Sequence, residues 1–194
     1  MMIKKEGIFM NRSYTDINSK TWDCWSDNKC EWSIPITHEE YEKAKNGEWG
    51  VYLTPCPLPF QDETFDVIFH PVSNCYIEDV LPVWKECYRI LKKGGILLAG
   101  FDNGLIFLFE DDSPLTVVNK LPFNPLKMDK ERYEKMVNNY EGIQFSHSME
   151  EQLGGQLKAG FRLTDLYEDR DREGGSAIRE YAPQYMATRA VKPE

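Results

Sequence analysis

The first half of this 194-residue chain has very few glycines. Before Gly94 there are only Gly7, Gly47 and Gly50. No turn of the G-x-G kind can be built from glycines at these positions. Such turns let the backbone approach a nucleotide closely at the end of a strand. The usual strand, glycine loop and helix for a nucleotide-type cofactor is therefore absent from residues 1–93.

The chain also lacks paired cysteines and long apolar runs. Its five cysteines are an odd number with no C-x-x-C pair, which fits neither a zinc ribbon nor a disulfide framework. No apolar run of signal-peptide length follows Lys4 and Lys5, and 18 consecutive apolar residues occur nowhere. We expect a reduced, cytoplasmic protein that is neither exported nor embedded in a membrane.

Basic residues are too few and too scattered for a nucleic-acid interface. The chain has 23 Lys and Arg against 32 Asp and Glu, a net charge of −9, and the basic residues are interspersed with acidic ones. His38, His70 and His147 have no metal-ligand spacing with one another or with the cysteines. Nucleic acid and metal are both excluded from the predicted ligands.

The middle of the chain has the pattern of an α/β unit. Residues 65–70 read Phe-Asp-Val-Ile-Phe-His, which is typical of a strand covered on both faces in a parallel sheet. A helix is predicted from Asp79, because apolar residues recur on one face through Leu91. Lys92 and Lys93 suit the negative end of its dipole, and Gly94 suits a left-handed turn before a strand over residues 96–101.

Two regions flank this unit. Residues 1–57 form an aromatic-rich segment with a predicted helix at 38–45, and residues 58–194 are assigned to the α/β domain. Ser148 and Glu151 form a capping box that predicts a helix over 148–157. Residues 161–166 and 185–191 are predicted to be strands of an antiparallel hairpin at the sheet edge.

From Leu58 onward the chain resembles a class I S-adenosylmethionine-dependent methyltransferase of the small-molecule type. The resemblance rests on Leu-Pro-Phe-x-Asp-x-Thr-Phe-Asp at 58–66, Glu86-x-x-Arg89, Lys-Gly-Gly at 93–95 and Ala-Gly-Phe at 159–161. It implies a Rossmann-like sheet in which residues 65–70 are the fourth strand and residues 96–101 the fifth. It also implies S-adenosylmethionine as cofactor and a small molecule as substrate.

Set beside that family, the chain has no room for the first three strands. One βαβ unit takes about 30 residues, whereas only a dozen residues separate the helix predicted to end near Lys45 from Leu58. We therefore expect an incomplete sheet, equivalent to strands 4-5-7-6, and interpret the join at 53–58 as an internal deletion of the cofactor-binding half.

The resemblance places a ligand site where the fourth and fifth strands end. The loop after the fourth strand passes the sulfonium of the cofactor in the family, so the cofactor-binding candidates are His70, Pro71 and Val72. The substrate-binding candidates are Asn74, Tyr76, Asp102 and Asn103. No catalytic residue is assigned, because an in-line methyl transfer depends largely on alignment of donor and acceptor.

Each candidate also has an ordinary structural explanation. Asn74 could make a turn, Tyr76 could pack in the core, and Asp102 with Asn103 could cap a turn. His147 is either a general base or, as we favour, a surface or capping residue. Trp22 and Trp25 form either an aromatic lid or, more in keeping with their spacing, part of a core.

Loss of the first strand would leave residues 65–70 as an unpaired edge. Either the segment at 50–54 folds over it in place of the first strand, or the same strand of a second copy pairs with it. We favour the second and expect a homodimer, or a partner chain that covers this edge. Three functions are open: a methyltransferase that is active when partner chains complete the cofactor site, an inactive relative kept as a binding or scaffolding subunit, and a defective product.

Overall fold

The computed structural model describes residues 13–30, 58–109, 115–139 and 141–194. Four α-helices and four strands lie in these ranges, besides short 3-10 turns: α1 (Tyr14–Asp27), β1 (Phe65–His70), α2 (Leu81–Ile90), β2 (Leu91–Asp102), α3 (Lys130–Asn138), α4 (Met149–Ala159), β3 (Arg162–Asp169) and β4 (Tyr185–Val191). None of the helices in these ranges is long and apolar enough to cross a membrane. The helix predicted at 38–45 lies outside the described residues.

The four strands form one mixed sheet in the order β1-β2-β4-β3. β1 and β2 are parallel, whereas β4 is antiparallel to both β2 and β3. This confirms the parallel unit, the antiparallel hairpin and the α/β fold predicted from the sequence. Among the described residues β1 is an edge strand, as the absence of the first three strands predicts.

One face of the sheet is covered by α2 and α4. The buried residues on this side include the indole of Trp84, which donates from Nε1 to the carbonyl of Glu151 at 3.0 Å. Alternate residues of β2 and β4 complete this core: Leu97, Ala99, Phe101, Met186 and Ala190. Burial of these apolar side chains supplies the main stabilisation of the sheet.

The opposite face of the sheet is open at β1 and β2. Val67 and Phe69 of β1 are 38% and 54% exposed, and Leu98, the register partner of Phe69, is 37% exposed. The prediction that both faces of residues 65–70 are covered is therefore wrong. The apolar sequence suits an interior strand, but only the side that holds Ile68 and His70 meets the helices.

The join between α2 and β2 is tighter than the sequence predicts. The helix ends at Ile90, and Leu91 is already a strand residue that pairs with Phe65. Gly94 has the left-handed φ of +75° that was expected, but it lies in a bulge of β2 and donates its N–H to the carbonyl of Lys192. Leu91 is completely buried, so the residues that directly follow the helix belong to the sheet.

The motif Glu86-x-x-Arg89 holds the segment before β1. Glu86 accepts hydrogen bonds from the backbone N–H of Leu58 at 2.7 Å and from Arg89 at 2.6 Å. Arg89 also donates to the carbonyl of Phe60 and to the carboxylate of Asp62. The guanidinium therefore links α2 to residues 58–62, and its role in this structure is structural.

Helix α4 begins at the predicted cap, and the two strands after it lie close to their predicted positions. Ser148 and Glu151 form the expected capping box of α4, and Gly160 ends the helix at φ +110°. The last strand, β4, has the predicted bounds 185–191, whereas β3 extends to Asp169, three residues beyond its predicted end.

By its contacts the chain divides into two compact units. The first contains the described residues 13–30 and 125–143 (except 140), and the second the described residues in 58–124 and 144–194. In the first unit, Asn18 of α1 exchanges two hydrogen bonds with the backbone of Ile143. Trp22 and Trp25 are half-buried on α1, with their rings edge to face at 5.0 Å. The division at residue 57 stays a prediction.

Candidate functional site

The polar residues of interest lie where β1 and β2 end. In open α/β sheets, ligands bind outside the carboxyl ends of the strands. β1 ends at His70 and is followed by a short 3-10 turn over Asn74–Tyr76, while β2 ends at Asp102. The sheet thus brings the two predicted groups of site residues to the same edge.

Asn74 is the centre of a buried hydrogen-bond network. Its side chain is fully buried, with Oδ1 at 2.8 Å from Nε2 of His70 and Nδ2 donating to Oε1 of Gln152 at 2.7 Å. Because the Asn74 amide donates to Gln152, its oxygen faces His70, so Nε2 of the imidazole carries the proton. The network links the end of β1 to α4.

The His70 ring is held in its neutral form. Burial lowers the pKa of His70, and the hydrogen bond to Asn74 opposes this effect only in part. The ring also packs edge to face on Trp84, with 5.5 Å between centroids. The remaining ring nitrogen, Nδ1, is then the basic atom of the side chain.

A second set of contacts fixes the backbone of the same turn. His147 donates from Nε2 to the carbonyl of Asn74 at 3.1 Å, and the N–H of Phe145 donates to the carbonyl of Cys75 at 2.6 Å. His147 is buried, and the cap of α4 is Ser148. The interpretation of His147 as a surface or capping residue is therefore wrong; it holds the Asn74 turn in place.

The end of β2 has its own polar pair. Asp102 is buried and accepts the N–H of Gly104 at 2.9 Å, and Asn103 donates from Nδ2 to the carbonyl of Pro183 at 2.9 Å. Burial raises the pKa of Asp102, while the Gly104 hydrogen bond and the proximity of His147 partly offset this. These contacts are the ones expected if Asp102 and Asn103 cap a turn, which was the structural explanation given for them from the sequence.

Two further side chains lie close to Asp102. Burial raises the pKa of the Cys75 thiol to about 12, and the Asp102 carboxylate adds to the effect. Burial also raises the pKa of Tyr185, with contributions from Asp171, Asp102 and Cys75. Tyr185 lies opposite Asp102 in the β2–β4 register. Cys75 and Tyr185 are therefore protonated, uncharged groups beside Asp102.

The sequence candidates differ in how they could meet a ligand. Val72 is 42% exposed, Pro71 and Tyr76 are half-buried, and the side chains of Asn74 and Asp102 are already engaged by the protein. Ligand contact by these residues stays a prediction. In this structure Val72, Pro71 and Tyr76 offer accessible surface. Asn74 and Asp102 instead fix the shape of the loops.

The described residues fit only part of S-adenosylmethionine. Pro71 and Val72 present apolar surface at the end of β1, which suits the methylene groups beside the sulfonium of the cofactor but not the ammonium and carboxylate of its methionine part. Asp102 is buried and accepts a backbone N–H, so it is not available to ribose hydroxyls. Among the described residues, this edge of the sheet offers the adenosine no comparable carboxylate.

Gln152 and Tyr185 are site residues that the sequence analysis missed. Gln152 lies on the buried face of α4, 78 residues from Asn74, and Tyr185 begins β4. The available signal for the first was a pair of glutamines four residues apart, Gln152 and Gln156, on the face of the helix that is buried. Nothing in the sequence indicated the second, because its position depends on the register of β4 against β2.

Comparison with known proteins identifies similar chains. A family profile described as a methyltransferase domain matches residues 36–99. The uncharacterized methyltransferase YbaJ of Bacillus subtilis is 32% identical, and the alignment covers 90% of this chain and 97% of that protein. The alignment runs over 250 positions, 56 more than the 194 residues of this chain. Segments of the relative thus have no counterpart here.

Shorter and structural similarities agree with that match. Squalene methyltransferase 1 of Botryococcus braunii is 36% identical over 66 residues, which cover 31% of this chain and 17% of that protein. A Listeria monocytogenes protein described as an S-adenosylmethionine-dependent methyltransferase has a similar fold, with 17% identity, a TM-score of 0.50 and coverage of 83% and 79% of the two chains. A Mesorhizobium loti methyltransferase has a TM-score of 0.50, 12% identity and 84% coverage of each chain.

Proposed function

Because the chain belongs to the class I S-adenosylmethionine-dependent methyltransferases, we propose that it transfers a methyl group to a small-molecule acceptor when partner chains complete its cofactor site. The family membership rests on the YbaJ match over 90% of the chain. The observation that carries the proposal is the Asn74 turn, which His70, Gln152 and His147 hold at the carboxyl end of the sheet.

This network suits the acceptor side of a methyl transfer. When bound, S-adenosylmethionine supplies an electrophilic methyl group on its sulfonium. An O–H or N–H acceptor loses a proton as it gains the methyl group, so a neutral base near the end of β1 is useful. His70 is that base in our proposal, with Nδ1 as the proton-accepting atom and Asn74 as the group that fixes the ring.

The need for a partner follows from what the described residues offer. They suit only the methylene groups beside the sulfonium of the cofactor, and the chain has no glycine-rich turn before β1. The alignment with YbaJ is longer than this chain, which is in keeping with a missing segment. We therefore expect a lone chain to bind S-adenosylmethionine weakly or not at all.

The second candidate is a catalytically inactive relative that serves as a binding or scaffolding subunit. The same missing turn favours it, because the loops of the acceptor side could hold a small molecule without methyl transfer. The two candidates differ in one measurable property, which is affinity for S-adenosylmethionine in the assembled state.

Isothermal titration with S-adenosylmethionine tests the proposal. Protein is titrated at a concentration where light scattering shows an assembly and at one where it shows monomer. We expect micromolar binding by the assembly and much weaker binding by the monomer. Val72→Arg should weaken binding by the assembly at least tenfold, because it places a positive charge beside the sulfonium, whereas Tyr181→Arg, a change at an exposed residue, should not. Absence of binding at millimolar ligand in every state would overturn the proposal and leave the inactive subunit.

A further inference from the structure

β1 lacks the features by which proteins protect a sheet edge. Natural edge strands carry lysine, proline, a bulge of their own or an inward charge that prevents pairing with another chain. β1 has no lysine or proline in its six residues, and its irregularity with β2 comes from extra residues in β2. Its one carboxylate, Asp66, is bound by Lys92 at 2.9 Å. Among the residues that the structure describes, the outer side of β1 is therefore open to another strand.

The exposed side chains of β1 form an apolar stripe along this edge. Phe65, Val67 and Phe69 alternate along the strand and so share the open face of the sheet. Val67 and Phe69 are 38% and 54% exposed, and their register partners Ile96 and Leu98 continue the apolar surface inward. In the described part of the chain no strand pairs with the outer side of this stripe. Unpaired backbone beside apolar side chains is the pattern of an association site.

We propose that β1 pairs antiparallel with β1 of a second copy of this chain, with Val67 at the two-fold axis. In this register Phe65 of each copy lies opposite Phe69 of the other, and Val67 lies opposite itself. All six side chains share one face, so the pair joins two sheets into one with a continuous apolar surface across the junction. Aromatic pairs across neighbouring antiparallel strands are among the favourable ones.

A second copy is the occupant that fits these observations. A two-fold antiparallel pair matches identical edges without any further complementary surface, because the same residues meet from both sides. The charges agree: Lys92 of each chain neutralises its own Asp66, so the two copies do not bring unpaired carboxylates together. This inference rests on the proposed function in one respect only, which is that a partner chain is required.

Disulfide trapping tests the register. A Val67→Cys variant, oxidised under mild conditions, should form a covalent dimer because the two thiols meet at the axis. The matched control Leu166→Cys places a thiol at another exposed position on β3, which is the opposite edge strand, and should remain mostly monomeric on the same time scale. Native cysteines are monitored by peptide mapping, so that only a link through position 67 counts.

Light scattering tests the surface. The wild-type chain should be dimeric at tens of micromolar, and Phe69→Glu should raise the dimer dissociation constant at least tenfold. Tyr167→Glu, an exposed aromatic on the open face of β3, should leave it unchanged. Far-UV circular dichroism identifies a variant that fails to fold, in which case Val67→Lys replaces Phe69→Glu.

A monomeric wild-type chain at 100 µM, or a dimer that Phe69→Glu and Val67→Lys leave intact, would overturn the inference. No cofactor is present in these measurements. A failure here therefore leaves the S-adenosylmethionine titration to decide the function, and a failure of that titration leaves the dimer standing.

Discussion

Gly155 of α4 packs directly on the indole of Trp84 of α2. A Cβ atom at position 155 would lie 2.5 Å from Cδ1 and 2.9 Å from Nε1 of Trp84, closer than real Cβ contacts. The same indole donates to the carbonyl of Glu151 and is fully buried. The two helices that cover the sheet can therefore meet at this distance only because residue 155 has no side chain.

Gly155→Ala should destabilise the protein. The added methyl group overlaps the ring, and overpacking of this kind costs about 1–3 kcal/mol. Gly154→Ala is the matched control, because its Cβ meets only Cγ of Glu150 at 3.5 Å. Replacement of glycine by alanine within a helix gains about 0.5–1 kcal/mol. Urea unfolding of both variants should give shifts of opposite sign; shifts of the same sign would contradict the packing described.

Gln152→Ala should also lower the free energy of unfolding. The change leaves Nδ2 of Asn74 buried without its acceptor and removes buried volume, which together cost about 2–4 kcal/mol. Gln61→Ala replaces an exposed glutamine and should stay within about 0.5 kcal/mol of wild type. Equal midpoints in urea for the two variants would show that the Asn74 network contributes little.

His70 should be found as the Nε2–H tautomer and remain neutral below pH 6.5. Burial lowers its pKa, and nitrogen-15 chemical shifts of labelled histidine report tautomer and charge. Because the folded pKa lies below the unfolded one, the stability from neutral His70 is complete above about pH 6.5. It declines as the pH falls from there towards the folded pKa. An Nδ1–H tautomer would mean that both amides are turned over, and would rule out Nδ1 as the base.

Cys75 should resist alkylation in the folded protein. Its pKa is raised to about 12, and the thiolate is the reactive form. At pH 8, treatment with iodoacetamide followed by peptide mass spectrometry should show Cys75 unmodified in buffer and modified in urea. Rapid modification of Cys75 in buffer would indicate that the turn over residues 74–76 opens readily.

Glu86 should make the stability depend on pH in the acid range. Hydrogen bonds from Arg89 are the main cause that lowers the pKa of Glu86, against the opposing effect of burial. Since the folded pKa is below the unfolded one, this stabilisation is present above about pH 4.5 and is lost as the pH falls through the folded pKa. Glu86→Gln lacks this pH-dependent stabilisation, so the difference between its melting temperature and that of wild type should shrink as the pH falls from 5 to 3. A constant difference over that range would contradict the assignment.

The sequence predicts the elements whose stability is local or whose pattern is unambiguous. The capping box at Ser148, the strand at 185–191 and the parallel unit around α2 are confirmed because each depends on neighbouring residues. The covered state of β1 could not be predicted, since Val67 and Phe69 suit a buried strand whether or not another layer is present. Which face of a strand is covered is a property of the whole fold.

For the candidate site, sequence reasoning located the right edge of the sheet but not the contacts. The loop after His70 and the end of the next strand were placed together because parallel strands end on the same side. The roles of Gln152 and His147 depend on packing between elements more than 70 residues apart. A histidine that donates to a distant carbonyl has no local pattern, which is why His147 was misread.

The mixed order of the sheet also bears on synthesis. β1, α2 and β2 are neighbours in the chain and can associate as soon as they are made, whereas β4 must return across roughly 80 residues to pair Tyr185 with Asp102. Contacts between such distant residues form late, because closing a long loop costs entropy before pairing offsets it. Until residues 185–191 leave the ribosome, β2 is bare on its other side as well. A nascent chain thus exposes two unpaired strand edges at once, one on β1 and one on β2. Chaperone binding should be strongest before β4 is synthesised.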